Sequence, residues 1–181
     1  MLGIRCYHCG KKETINRFCE NPDFIPISNH KFDNKWAGPG MYLWDNLYNA
    51  QDWYNTRADK TTRGICKCML EIDEEHLLDL TDRGIADSMQ SIIEIMEKNE
   101  QISATDEVGI KISFISDFME SKAVKIFGDY PNMKGSSFFT KPKKNEPHVA
   151  ITTKVIYCVK EGNADILTKR ELEKSELEEV I

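Results

Sequence analysis

Hydrophobic and polar positions along the chain follow two periods, and the changes between them mark out the elements. Gly3 to His8 reads as a short strand; from Lys11 to Cys19 the apolar members Ile15, Phe18 and Cys19 fall at helical spacing. Glu20 to Lys35 is polar, with Pro and Asn, and reads as a long surface loop around an extended piece, Phe24-Ile25-Pro26-Ile27. Long ordered loops in compact domains commonly border sites. Gly38-Pro39-Gly40 turns sharply into the strand Met41-Tyr42-Leu43-Trp44. Asp45 then stands where an N-cap belongs, before a helix from about Asn46 to Arg57 with Leu47, Ala50, Trp53 and Tyr54 on its buried face.

Gly64 to Asp73 predicts a strand, and Leu77-Leu78-Asp79-Leu80 is a second apolar piece. Thr81 is the expected cap of a helix from Ile85 to about Lys98, whose core stripe is Ile85, Met89, Ile92, Ile93 and Met96. After a polar loop, Asn99 to Glu107, the run from Ile110 to Phe127 predicts an amphipathic helix broken by Gly128 and Tyr130-Pro131. The pattern then returns to strands: Ser137 to Thr140, Val149 to Thr153, and Val155 to Lys160. The tail TKRELEKSELEEVI, from Thr168, predicts a charged helix with a solvated face. The sum is an α+β domain over residues 1–167 followed by a charged C-terminal helix over 168–181.

With 181 residues, 40% of them apolar and 9% aromatic, the chain has enough material for one core. Its formal net charge of −6 gives an overall field that repels polyanions. Lys141, Lys143 and Lys144 form the only compact basic cluster; they read as a solvated loop, or as a guide for an anionic target. No segment approaches the roughly 18 consecutive apolar residues of a membrane span, and the N-terminal stretch does not resemble an export signal, so a cytoplasmic location without membrane association is expected. The cysteines at 6, 9, 19, 66, 68 and 158 are spaced unlike a secreted disulfide scaffold and are expected to be reduced. Cys66-x-Cys68 has strand alternation, which sends both thiols to one face and Lys67 to the other. Cys6-x-x-Cys9 has half the ligands of a closed zinc site and no second pair, so no metal is expected.

Taken singly, the residues able to carry chemistry have ordinary readings: His8 as a strand-end capping or core residue, Tyr42 as core, Glu146 as exposed. Their order and surroundings resemble the ADP-ribosyltransferase superfamily in its His-Tyr-Glu branch, which includes diphtheria toxin and the poly(ADP-ribose) polymerases. Tyr7-His8-Cys9 is similar to the branch's first motif, with Cys9 at a usual glycine. Gly38-Pro39-Gly40-Met41-Tyr42-Leu43-Trp44, followed by Asn49-Ala50-Gln51-Asp52-Trp53-Tyr54, resembles its second motif and helix. Phe24 to Trp36, and Gly64 through Leu80, resemble the corresponding stretches of small bacterial members. Glu146-Pro147-His148-Val149-Ala150 matches the frame of the third motif. A rival register places Thr140, after Phe138-Phe139, at the acidic position, with His148 as a replacement polar group.

The resemblance implies an ADP-ribosyltransferase-like fold, with split mixed or antiparallel β-sheets and flanking helices, and it implies NAD⁺ as substrate. Tyr42 would stack on the nicotinamide with Trp53 completing an aromatic slot, His8 would hydrogen-bond a ribose hydroxyl, and the backbone at Cys9 would clamp the carboxamide. Glu146 would grip the ribose 2′-hydroxyl as the bond breaks. The implied activity is mono-ADP-ribosyl transfer to a protein or nucleic-acid acceptor by an intracellular toxin or phage-defence effector, with an antitoxin or immunity partner. The alternative is a module of the same fold that binds NAD⁺ or a partner and has lost the catalytic acid.

Overall fold

Alternation and capping account for most elements of the computed structural model, which describes residues 1–28, 36–129 and 153–173. Strand β1 (Leu2–Lys11) runs directly into helix α1 (Lys12–Glu20), whose Ile15 and Phe18 are buried. Strand β2 (Met41–Trp44) leads to α2 (Leu47–Asn55) and β3 (Arg63–Ile72), and then β4 (Leu77–Asp79), α3 (Arg83–Lys98), α4 (Val108–Phe118), β5 (Ala123–Asp129), β6 (Thr153–Val159) and β7 (Leu167–Leu172) follow. The architecture is α+β, with one mixed seven-stranded sheet in the order β4-β5-β6-β2-β1-β3-β7. All neighbours are antiparallel except β4 and β5.

The pairing around β1 is uneven. Ten residue pairs, Leu2↔Ile72 to Lys11↔Arg63, tie β1 to β3, but a single pair, Tyr7↔Trp44, ties it to β2. The hydrogen-bonded order is thus continuous while its two halves, β4-β5-β6-β2 and β1-β3-β7, diverge at the β1/β2 boundary.

Period-2 alternation sends side chains into two cores. Cys6, Leu43, Cys66, Cys68, Leu70 and Val159 pack with Ile15 and Phe18 of α1; Trp44, Ile156, Cys158 and Val124 pack with Ala50 of α2 and with Ile112 and Ile115 of α4. Both thiols of Cys66-x-Cys68 are buried, while Lys67 points outward to Glu171, as their alternation predicts. The buried Lys154 ammonium donates to Asn49 Oδ1 at 2.5 Å and pairs with Asp52 Oδ2 at 3.1 Å, fixing α2 against β6. No described helix is long and apolar enough to cross a membrane.

Several expectations are corrected. The apolar run read as a helix from Ile110 to Phe127 divides: α4 ends at Phe118, Glu120 takes φ of 53°, and Ala123–Asp129 is a strand paired between β4 and β6. A short apolar run does not declare its period until its neighbours are known. The expected helix from Thr168 begins instead as strand β7, because Leu70 and Cys66 of β3 offer an edge that Leu167 and Leu172 pair with. Residues 174–181 lie outside the described residues. Helix caps shift by one residue: Asn46, not Asp45, accepts from Asn49 N–H, and Asp82, not Thr81, accepts from Ile85 N–H. Asp45 instead accepts from the amides of Asn46 and Asn49 at 2.8 and 3.0 Å.

Candidate functional site

The turn before β2 is built by close approach. Gly38 has φ of +73°, and a Cβ there would lie 2.9 Å from the Gly109 carbonyl oxygen. At Gly40 a Cβ would collide with Cys158 Sγ and stand 2.8 Å from the Val159 carbonyl oxygen. Only glycine fits both positions. The buried ammonium of Lys160 closes the arrangement from below, donating to the Ala37 carbonyl at 2.7 Å, to the Pro39 carbonyl at 3.4 Å and to Ser113 Oγ at 3.2 Å. Burial lowers the Lys160 pKa from its ordinary value. Held by this turn, Tyr42 donates its hydroxyl proton to the Gly38 carbonyl at 2.5 Å and accepts from Ala37 N–H at 3.3 Å.

Across the divergence, His8 Nδ1 lies 2.8 Å from the Tyr42 carbonyl oxygen. A carbonyl can only accept, so Nδ1 carries the proton and neutral His8 keeps Nε2 as an acceptor. Burial holds the His8 pKa below its usual value; the Tyr42 hydrogen bond opposes this and the nearby Arg63 charge reinforces it. The side chain therefore spans the sheet halves where backbone pairing has stopped.

The gap opens into a cavity of about 790 Å³, within the size range of small-molecule and cofactor sites. Four aromatic residues, Trp36, Tyr42, Trp44 and Trp53, line it together with Ile27, Pro26 and Ile156. His8, Cys9 and Gly10 supply the β1 side. Thus His8, Cys9, Tyr42 and Trp53, singled out from three separate stretches of sequence, meet at one cavity. Trp53 stands with its ring centroid 6.0 Å from that of Trp44, and one of its faces carries the Arg57 guanidinium, 3.7 Å from the ring centroid. Any ring stacking on Trp53 must therefore use the other face or displace Arg57.

Sequence reasoning missed the cations. Lys11, Arg57 and Arg63 also line the cavity, and no carboxylate does so among the described residues. Arg57 lies four residues beyond Trp53, just past the end of α2, while Arg63 and Lys160 have no periodic signature and become visible only through the tertiary structure. Arg63 Nε donates to Asp59 at 2.8 Å, a bond that raises the arginine pKa and lowers that of the carboxyl. Burial pushes the Cys9 thiol up to about 11, with Arg63 and Arg57 pulling in the opposite direction. Cys9 is consequently a neutral wall residue at ordinary pH.

Among the described residues, no group of three or more His, Cys, Asp or Glu side chains is placed to hold a metal ion. The cysteines described are all free thiols. Glu146, Thr140, His148 and the lysines at 141, 143 and 144 lie outside the described residues. In comparisons with known proteins, the chain matches no family model, no curated protein and no solved structure.

Proposed function

We propose that this chain is a mono-ADP-ribosyltransferase that cleaves the nicotinamide–ribose bond of NAD⁺ and passes ADP-ribose to a protein or nucleic-acid acceptor. The observation that carries the reading is the convergence of His8, Cys9, Tyr42 and Trp53 on one aromatic cavity at the divergence of the sheet. The context we assign is an intracellular toxin or phage-defence effector, restrained by an antitoxin or immunity partner.

Each role follows from the chemistry of the bond. Breaking the glycosidic bond develops positive charge on the ribose, an oxocarbenium-like transition state. The Glu146 carboxylate, bound to the ribose 2′-hydroxyl, stabilises that charge most strongly as it appears, which is the condition for lowering the barrier. Nε2 of neutral His8 accepts a ribose hydroxyl proton while Nδ1 stays bonded to Tyr42. The Tyr42 ring, clamped through its hydroxyl, offers a fixed π face to the flat cationic nicotinamide.

A second reading, an NAD⁺-binding module without a catalytic acid, follows from the rival register that puts Thr140 at the acidic position. One experiment separates the two. Purified protein is incubated with NAD⁺ and cell lysate as acceptor, and free nicotinamide is followed by chromatography beside Glu146→Gln. Active transfer predicts nicotinamide release that falls by about two or more orders of magnitude in the variant. Binding of NAD⁺ without release in either protein leaves the module.

A further inference from the structure

Two of the cavity's cations are arranged in different ways. Arg63 is anchored: its Nε is engaged by Asp59, and it reaches the Cys9 thiol. Arg57 is held by stacking on Trp53, and its buried Nε has no hydrogen-bond partner among the described residues. A buried donor left without an acceptor is costly, and an arginine fork matches the oxygens of phosphate. Both arginines line the same cavity as Cys9. Lys11 adds a third positive charge, while the whole chain carries a formal net charge of −6. A cationic wall inside an acidic protein is a place for an anion.

We propose that Arg57 and Arg63 form an anion subsite that takes the pyrophosphate of a nucleotide, with Arg57 supplying a buried Nε donor that no described residue engages. The assignment of this nucleotide as NAD⁺ rests on the function proposed above; the anion subsite itself does not. Trp53 then has a double duty, presenting a wall to the cavity and orienting the guanidinium that lies on it. Asp59 positions Arg63 from outside the cavity lining.

Calorimetry with three probes tests the subsite: ADP, inorganic pyrophosphate, and nicotinamide riboside, which has no phosphate. The full chain is compared with Arg57→Gln, Arg63→Gln and Arg57→Lys, each checked for an unchanged unfolding midpoint. The expected result is that ADP and pyrophosphate bind the wild type, that each Gln variant weakens both by tenfold or more, and that Arg57→Lys recovers part of the loss. Nicotinamide riboside should bind the wild type and Arg63→Gln equally. Arginine-dependent binding of pyrophosphate without binding of nicotinamide riboside supports the subsite and removes NAD⁺ as its ligand. Wild-type protein that binds neither anion, or Gln variants that bind both as well as wild type, overturns the subsite and leaves the NAD⁺ reading standing wherever nicotinamide riboside binds.

Discussion

The two sides of strand β1 differ sharply. Towards β3 it is closed by ten residue pairs and backed by a core of fully buried side chains; towards β2 it makes one pair and then parts. Two arginines show what the difference means. Arg170, on the closed side, lies with its guanidinium carbon 4.4 Å from the Phe18 ring centroid and donates to the carbonyls of Leu167, Phe18, Asn21, Phe24, Pro22 and Ala164. Arg57, on the open side, also lies over an aromatic ring yet keeps a buried Nε unmatched among the described residues. One guanidinium is engaged by the fold at Nε and both Nη atoms, and the other has one buried donor that no described residue engages. Closed pairing is backed by a core; incomplete pairing borders a cavity.

Truncation on the closed side should have the largest effect. Phe18→Ala removes a side chain that is 0% exposed, and we expect a loss of about 3–5 kcal/mol in denaturant unfolding with ligand affinity of the folded fraction unchanged. A loss under about 1 kcal/mol would mean that this core does not hold the sheet.

On the open side the effect should move from stability to binding. Tyr42→Ala is expected to cost roughly 1–3 kcal/mol of NAD⁺ affinity, about 5- to 150-fold in Kd, read by calorimetry. Tyr42→Phe keeps the ring and loses the Gly38 bond, so it should bind NAD⁺ nearly as wild type while losing about 0.5–1.5 kcal/mol of stability. Equal affinity in Tyr42→Ala removes Tyr42 from the site.

The smallest effect is a pH dependence at the junction of the two sides. Folding depresses the His8 pKa below its ordinary 6.5, so the unfolded chain binds the proton more readily. The contribution of His8 is complete above pH 6.5 and declines as pH falls from there towards its folded value. His8→Asn, which can still donate to the Tyr42 carbonyl, should remove that part of the decline in unfolding titrations. Identical profiles for wild type and variant would show that His8 does not titrate across the transition.

Elements with strong periodicity were legible before the structure: Met41–Trp44, Lys12–Glu20 and Arg63–Ile72 all lie where alternation or helical spacing puts them. The strand at Ala123–Asp129 and the one at Leu167–Leu172 were hidden because each is defined by its neighbours, β4 and β6 for the first and the edge of β3 for the second. The site divides in the same way. His8 and Tyr42 stand in recognisable local patterns, whereas Arg63 reaches the cavity wall from the start of a strand whose own pattern concerns only its buried face. An isolated cation carries no period, so its role comes into view only with the cavity it lines.

The hydrogen bond from His8 to the main chain of Tyr42 also limits proton traffic. A side chain that relays protons needs both ring nitrogens to exchange, and here one of them is committed to a carbonyl that cannot give a proton back. Passing a proton through the imidazole would break a side-chain link that, beside the Tyr7↔Trp44 pair, spans the two halves of the sheet. His8 is thus a one-ended group, suited to gripping a hydroxyl and unsuited to shuttling its proton to solvent.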